Sequence, residues 1–311
     1  MKRPNGIKNF RNLFWQLDDL DYYYKHSDQQ YNSIVIAVTC CGKQSIVSQT
    51  IVMIKSMLIF SKQNIHLIIY TDVNHRQLLN ELLALPQNKL DQISFEIKTA
   101  KFPNVSDQHY YRNFYLKCAT QRLFYPVLLP NIDSVIHVDS DVIFMSPVEQ
   151  LWKHFEYMTG EQMFAMAVDN MNPNTSWYLK IAHNDSLRIP NPTVYSFNTG
   201  IILMNLTQMR NTNFFGEMDP IFKQYKNRIH WIVNDFMTIY LAKYPNRYMN
   251  LSCIWNYLTD HCDAGQLCTD ADQYGVAVLH GSRSTFVKPS LWAPHAAAFR
   301  RSEPKRFQFG Y

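Results

Sequence analysis

From Ser33 onward the chain alternates short β-branched runs with longer amphipathic segments, the pattern of a βαβ series wound around a mostly parallel sheet. Residues 34–38 read as a strand that breaks at Thr39 to Gly42, and residues 49–60 as a helix with apolar spacing at Ile51, Ile54, Leu58 and Ile59. A strand at 65–70, a helix over 76–85 stopped by Pro86, and a strand at 93–97 follow. Residues 115–129 are predicted to form a helix carrying Arg122, leading into a strand at 134–138 that ends in Asp139-Ser140-Asp141. Later strands are expected at 164–168, 201–205 and 276–279, with a helix over 233–242. Residues 170–192, rich in Asn and Pro, read as a long functional loop.

A chain of 311 residues that is 47% apolar and only 18% charged has ample material for one large core, which excludes a disordered protein. The net charge of +5 is too small and too dispersed to indicate nucleic-acid binding. No run approaches the roughly 18 apolar residues of a membrane span, since Lys55 and Ser56 interrupt the best stretch. The basic first residues are not followed by an apolar segment, so the expectation is a cytosolic chain or one that lacks its targeting segment. The cysteines (Cys40, Cys41, Cys118, Cys253, Cys262, Cys268) form no pair of CxxC motifs, which points away from structural zinc and leaves disulfides or buried reduced thiols. Sequons at Asn104, Asn174, Asn184, Asn205 and Asn250 lean toward a secretory compartment.

Asp-x-Asp is a weak pattern that occurs at Asp19/Asp21, Asp139/Asp141 and Asp270/Asp272, so context must choose. The first and last read as solvated acids. Asp139/Asp141 alone follows an uninterrupted apolar run, Val135 to Val138, and precedes another, Val142-Ile143-Phe144. In extended chain, residues i and i+2 share a face, so two carboxylates at a strand's carboxyl end can hold a hard divalent cation together with phosphate oxygens. Open α/β sheets bind ligands at that end. Oxygen ligands select Mg2+ or Mn2+ over softer ions. His280, just before Gly281, is either a further ligand or a structural histidine.

Taken in order, several segments carry a resemblance. They are Ile136-His137-Val138-Asp139-Ser140-Asp141-Val142-Ile143-Phe144, Phe197-Asn198-Thr199-Gly200-Ile201, Trp255-Asn256-Tyr257 with Asp260-His261-Cys262, and Val278-Leu279-His280-Gly281. Together they resemble the glucoside xylosyltransferases of family 8 of the retaining glycosyltransferases, over about residues 32–283. The resemblance implies an α/β GT-A fold, a mostly parallel nucleotide-binding sheet flanked by helices. It further implies a domain at 32–290 between a stem-like extension at 1–31 and a tail at 291–311. The implied reaction is α-1,3 transfer of xylose from UDP-xylose, with Mn2+ or Mg2+, to glucose O-linked on EGF repeats of Notch-type proteins. The implied setting is a type II membrane protein of the Golgi or endoplasmic reticulum lumen, which would make the missing anchor a truncation.

Carried onto this chain, the resemblance makes Asp139, Asp141 and His280 the metal ligands, with Ser140 between them. Val38, Thr39 and Cys41 correspond to the uridine-contacting region, and Arg122 to a basic position near the donor diphosphate or sugar, its alternative being a salt bridge. Asn198 and Gly200 match a sugar-facing Asn-x-Gly or a plain turn. Gly281 lets backbone approach a phosphate; Arg283 and Lys288 meet phosphate or belong to a solvated tail.

The family's Trp-Gly-Asp-Gln-Asp stands here as Trp231-Ile232-Val233-Asn234-Asp235, placing a valine and a shorter amide where an acid and a glutamine are expected beside the sugar. Valine can neither accept a hydroxyl hydrogen bond nor stabilise oxocarbenium charge. Double displacement needs a carboxylate nucleophile, for which only Asp235 is close in sequence. A front-face route needs none and leaves Asn234 to position the sugar. The alternatives to an active xylosyltransferase are a non-catalytic nucleotide-sugar or glycoprotein binder and a transferase using another UDP-sugar.

Overall fold

The computed structural model describes residues 22–25 (backbone only), 33–72, 75–101, 118–169, 196–225, 228, 232–263, 267–282 and 285–286. An eight-stranded sheet runs in the order β1-β4-β3-β2-β5-β8-β7-β9. Its strands are β1 (Tyr22–Lys25), β2 (Ile34–Cys40), β3 (Ile65–Thr71), β4 (Ile93–Thr99), β5 (Ser134–Val138), β7 (Phe164–Ala167), β8 (Ile201–Asn205) and β9 (Tyr248–Leu251). A two-stranded ladder joins β6 (Val142–Phe144) to β10 (Val278–His280). The block β4-β3-β2-β5 is parallel, as the alternation requires, with α1 (Gln44–Phe60) and α2 (His75–Leu83) as its crossovers. β8 enters antiparallel to β5 and β7, while β9 runs parallel to β7. Of the expected extension at 1–31, residues 22–25 are described, and they form β1, which pairs with β4 at the sheet edge.

Both sheet faces are covered, which explains why β3 is buried along its whole length. Strand pleat divides the core: Ile36, Val38, Leu67 and Ile69 pack with α1 and α2. Ala37, Ile68 and Tyr70 face the other way, toward Tyr125, α4 (Phe214–Tyr225) and α5 (Ile232–Lys243), with α3 (Leu206–Asn211) before them.

Where boundaries differ from expectation, the cause is local. α1 begins at Gln44, five residues before the expected 49. Arg122 lies not on a continuous helix but on a 3-10 turn, Gln121–Phe124, followed by a one-turn helix, Tyr125–Leu128. Pro126 has no N–H for an i→i−4 bond, so the chain restarts instead; residues 115–117 lie outside the described set. Asp139 and Asp141 stand in the turn between β5 and β6 rather than on one face of a strand. His280 is the last residue of β10 instead of following it. No helix among the described residues is long and apolar enough to cross a membrane.

Candidate metal and donor site

The β6–β10 ladder builds the site. It sets His280 opposite Val142, and the Gly281 N–H donates to the Asp141 carbonyl at 2.6 Å. One ligand atom from each of Asp139, Asp141 and His280 lies within 4.8 Å of the others. His280 Nε2 is 3.7 Å from Asp139 Oδ2 and 3.5 Å from Asp141 Oδ1.

Asp139 divides its oxygens between protein and ligand. Oδ1 accepts from Arg122 Nη2 at 2.6 Å and from His137 Nε2 at 3.2 Å, while Oδ2 faces His280. Burial alone would raise the Asp139 pKa, but the Arg122 guanidinium, then His137, overcome it and hold the carboxyl well below its usual range. His137 is fully buried and its pKa is lowered to about 4, by burial and then by Arg122, so the ring is neutral. A carboxylate only accepts, so Nε2 carries the proton and Nδ1 accepts from the Tyr125 hydroxyl at 3.0 Å. Arg122 Nη1 also donates to the Thr199 carbonyl, tying the guanidinium to the loop before β8.

The tautomer of His280 follows from a chain of amides. Asn256 Nδ2 donates to Asn198 Oδ1 at 3.0 Å, so its Oδ1 faces His280 Nδ1 at 2.8 Å and accepts the proton there. Nε2 is left with its lone pair toward the two carboxylates. Burial would lower the His280 pKa, but Asp141 and Asp139 raise it, so a proton and a cation are alternatives at Nε2. Two carboxylate oxygens and one imidazole nitrogen, with Asp139 held by Arg122 and His137 and the His280 ring held by Asn256, fit a hard divalent ion.

Gly200 is required by this packing: a Cβ there would come within 2.1 Å of His280 Cε1. Its N–H donates to Asn198 Oδ1 at 2.9 Å, and its carbonyl accepts from the Asp139 N–H at 2.8 Å. Asn198 Nδ2 reaches Asp169 Oδ1 at 3.4 Å, bringing a third acid toward the cluster. Sequence reasoning passed over Asp169, Asn256, His137 and Thr199 because each lies outside the acidic motif. His137, Thr199 and Asn256 nonetheless lie inside the segments that carry the family resemblance, which was the available signal; Asp169 had none.

The other expected site residues divide. Ser140 is half-buried in the acidic turn, and Thr39 lies at the carboxyl end of β2, the same end of the sheet as Asp139. Val38 is fully buried, a core side chain that supports Thr39 rather than reaching outward. Cys41 is bonded to Cys118, which staples the end of β2 to the turn that carries Arg122. A second disulfide joins Cys253 to Cys268, and Cys40 is buried and free, its thiol pushed up to about 11 by burial. Gly281 is buried, with Phe286 occupying the space a side chain would need. Asn234 Oδ1 accepts from the Thr199 N–H at 3.2 Å and from the Thr199 hydroxyl, so its carbonyl serves the loop that carries Gly200. Val233 is 6% exposed and packs in the core, and Asp235 is 2% exposed. Arg283, Lys288, Trp231 and residues 170–192 lie outside the described residues. A separate cleft of about 360 Å³, lined by Glu161, Lys243, Tyr244 and Arg247, opens at the amino ends of β7 and β9 and contains none of these groups.

A mostly parallel sheet with an Asp-x-Asp turn at its carboxyl end, and a histidine brought to that turn by a short ladder, is the architecture of a GT-A glycosyltransferase. The solved structure of mouse xyloside xylosyltransferase 1 superposes with a TM-score of 0.58 at 19% identity, over 81% of this chain and 99% of that one. The galactosyltransferase LgtC, solved with donor and acceptor sugar analogues, superposes with a TM-score of 0.62 at 15% identity, over 86% and 95%. Residues 20–281 match Glycosyl transferase family 8, and the chain belongs to that family. Glucoside xylosyltransferase 1 of Rattus norvegicus is 30% identical over 286 residues, covering 88% of this chain and 63% of the relative. Glucoside xylosyltransferase 2 of Mus musculus is 32% identical over 265 residues, covering 81% and 58%. The chain therefore spans less than two thirds of the length of these curated relatives.

Proposed function

We propose that this domain is a metal-dependent retaining glycosyltransferase that moves xylose from UDP-xylose to glucose O-linked on EGF repeats of a glycoprotein. The observation that carries the transferase reading is the Asp139/Asp141/His280 cluster, whose His280 tautomer leaves a lone pair toward two carboxylates. The names of the relatives at 30% and 32% identity support the donor and the glucoside acceptor. Residence in the Golgi or endoplasmic reticulum lumen is supported by the paired cysteines, which persist in oxidising compartments.

Asp139, Asp141 and His280 would hold Mn2+ or Mg2+, which when bound neutralises charge on the leaving diphosphate. The remaining steps belong to the chain itself. Arg122 and His137 keep Asp139 ionised and oriented. Asn256 and Gly200 fix the His280 ring. Asn198, held through its own amide to Asp169, accepts from the Gly200 N–H and from Asn256 and so keeps both in place behind the His280 ring. Asp235 is too deeply buried to serve as a nucleophile in this conformation, which favours front-face transfer, with the departing phosphate taking the acceptor hydroxyl's proton.

A second reading, a non-catalytic binder of nucleotide sugars, draws on Val233, where the expected acid is replaced by a core residue. Release of UDP from a panel of UDP-sugars, with Mn2+ and a glucosylated EGF acceptor, decides between them. Turnover of UDP-xylose that Asp141→Ala abolishes supports the transferase. Turnover of a different sugar replaces the donor; metal-dependent UDP binding without turnover of any sugar supports the binder.

A further inference from the structure

We propose that Asn250 is N-glycosylated, and that the glycan is attached before the Cys253–Cys268 disulfide closes. Two sequons fall among residues with described side chains, and the fold treats them oppositely. Asn205 ends the interior strand β8, is half-buried, and its Oδ1 caps α3 by accepting from the Gln208 N–H at 2.9 Å. Glycosylation there would cost the helix its cap and push a bulky group against the sheet. Asn250 lies on β9, the outermost strand, is exposed, and makes no side-chain hydrogen bond among the described residues. A hydrophilic glycan on an outer strand also screens its unpaired backbone groups from edge-to-edge association.

The order of events follows from the third sequon residue. Ser252 donates its hydroxyl to Asp270 Oδ2 at 2.5 Å and accepts from the Ile254 N–H at 3.4 Å. Asp270 sits on the helix Thr269–Tyr274 that begins directly after Cys268, and Cys268 is bonded to Cys253, the neighbour of Ser252. Closing the disulfide thus holds Asp270 against the hydroxyl a glycosylating enzyme must recognise. In the reaction, Asn250 Nδ2 bonds to the anomeric carbon of a lipid-diphosphate-linked oligosaccharide. The carbon–oxygen bond to the diphosphate breaks, the lipid diphosphate departs, and the amide proton passes to the transferring enzyme's base.

The inference rests on passage through an oxidising secretory lumen and not on which sugar the domain transfers. The test expresses the full chain behind a cleavable secretory leader in eukaryotic cells. Peptides are then mapped under non-reducing conditions, with and without a glycosidase that leaves aspartate at each deglycosylated asparagine. Asn250 is expected to be occupied and Asn205 bare, with Asn250 occupancy rising in Cys268→Ser. If that variant is not secreted, a pulse of reductant during synthesis of the parent gives the same comparison. Asn250 bare in parent and variant overturns the site; a closed Cys41–Cys118 bond in the same map places the failure in the sequon and not in the compartment. Occupancy that is unchanged when the disulfide cannot form overturns the order of events. Asn250→Gln should remove one glycan and leave UDP-sugar turnover unchanged, since Asn250 touches no residue of the metal cluster.

Discussion

Replacing Asn256 with leucine tests the origin of the metal site more directly than removing a ligand. Asn256 is 1% exposed, and leucine fills nearly the same volume while removing both halves of the amide. The His280 Nδ1–H loses its acceptor at 2.8 Å, while Asn198 Oδ1 keeps its bond from the Gly200 N–H. A buried N–H left unpaired costs about 1–3 kcal/mol. The imidazole avoids that cost by moving its proton to Nε2, where Asp139 and Asp141 accept it, and the lone pair offered to a cation is lost. Loss of such an outer partner lowers metal affinity about 10- to 100-fold. At about 1.4 kcal/mol per tenfold, that range agrees with the price of the unpaired donor. Asn256→Asp is the control, because it keeps an acceptor for Nδ1–H while, like the leucine, it removes the donor to Asn198 Oδ1. Calorimetric titration with Mn2+, alongside thermal melts, should show weakened binding for Asn256→Leu and binding at least as tight as the parent for Asn256→Asp. Parental affinity in Asn256→Leu, or equal weakening in both folded variants, would refute the tautomer argument.

Three further outcomes follow from the same geometry. Gly200→Ala should lose Mn2+ binding in calorimetry while remaining folded by circular dichroism, because its Cβ would displace the His280 ring. Glu96 sits between His66 at 3.0 Å and Lys98 at 2.8 Å, and although burial opposes ionisation these partners lower its pKa from 4.5 to about 2. A depressed carboxylate stabilises the fold above its unfolded pKa, so roughly 3 kcal/mol is lost as pH falls from 4.5 through about 2. Urea melts of Glu96→Gln should show a flatter acid limb than the parent; parallel limbs would contradict the assignment. Tyr70 stacks on Tyr125 with ring centroids 5.6 Å apart but its buried hydroxyl has no partner among the described residues, so Tyr70→Phe should hold or raise the melting temperature, and a clear fall would reveal a bond to the rest of the chain.

The strands were readable because their signal is local. Strands at 134–138 and 201–205 were legible to the residue from β-branched runs with sharp ends. The helix over 115–129 was misjudged because its apolar pattern continues through Pro126, whose missing N–H breaks the backbone ladder where side-chain spacing gives no sign. The strand expected at 276–279 starts two residues and ends one residue later, at 278–280, since β10 is fixed by its partner β6 and not by its own composition. Val233 read as a departure beside a sugar, whereas the folded chain uses it as core.

By itself the sequence determined the layered α/β sheet and the acidic turn, because strand period, helix period and a pair of nearby aspartates are properties of short stretches of chain. The tertiary structure alone decided how those aspartates are held. A two-stranded ladder brings His280 to them, an amide chain through Asn256 and Asn198 sets its proton, and a disulfide holds the turn that carries Arg122 to Asp139. Each of these is a contact between residues far apart in the chain. Its energy depends on burial and on the exact angle of a donor, and neither exists until the sheet has closed.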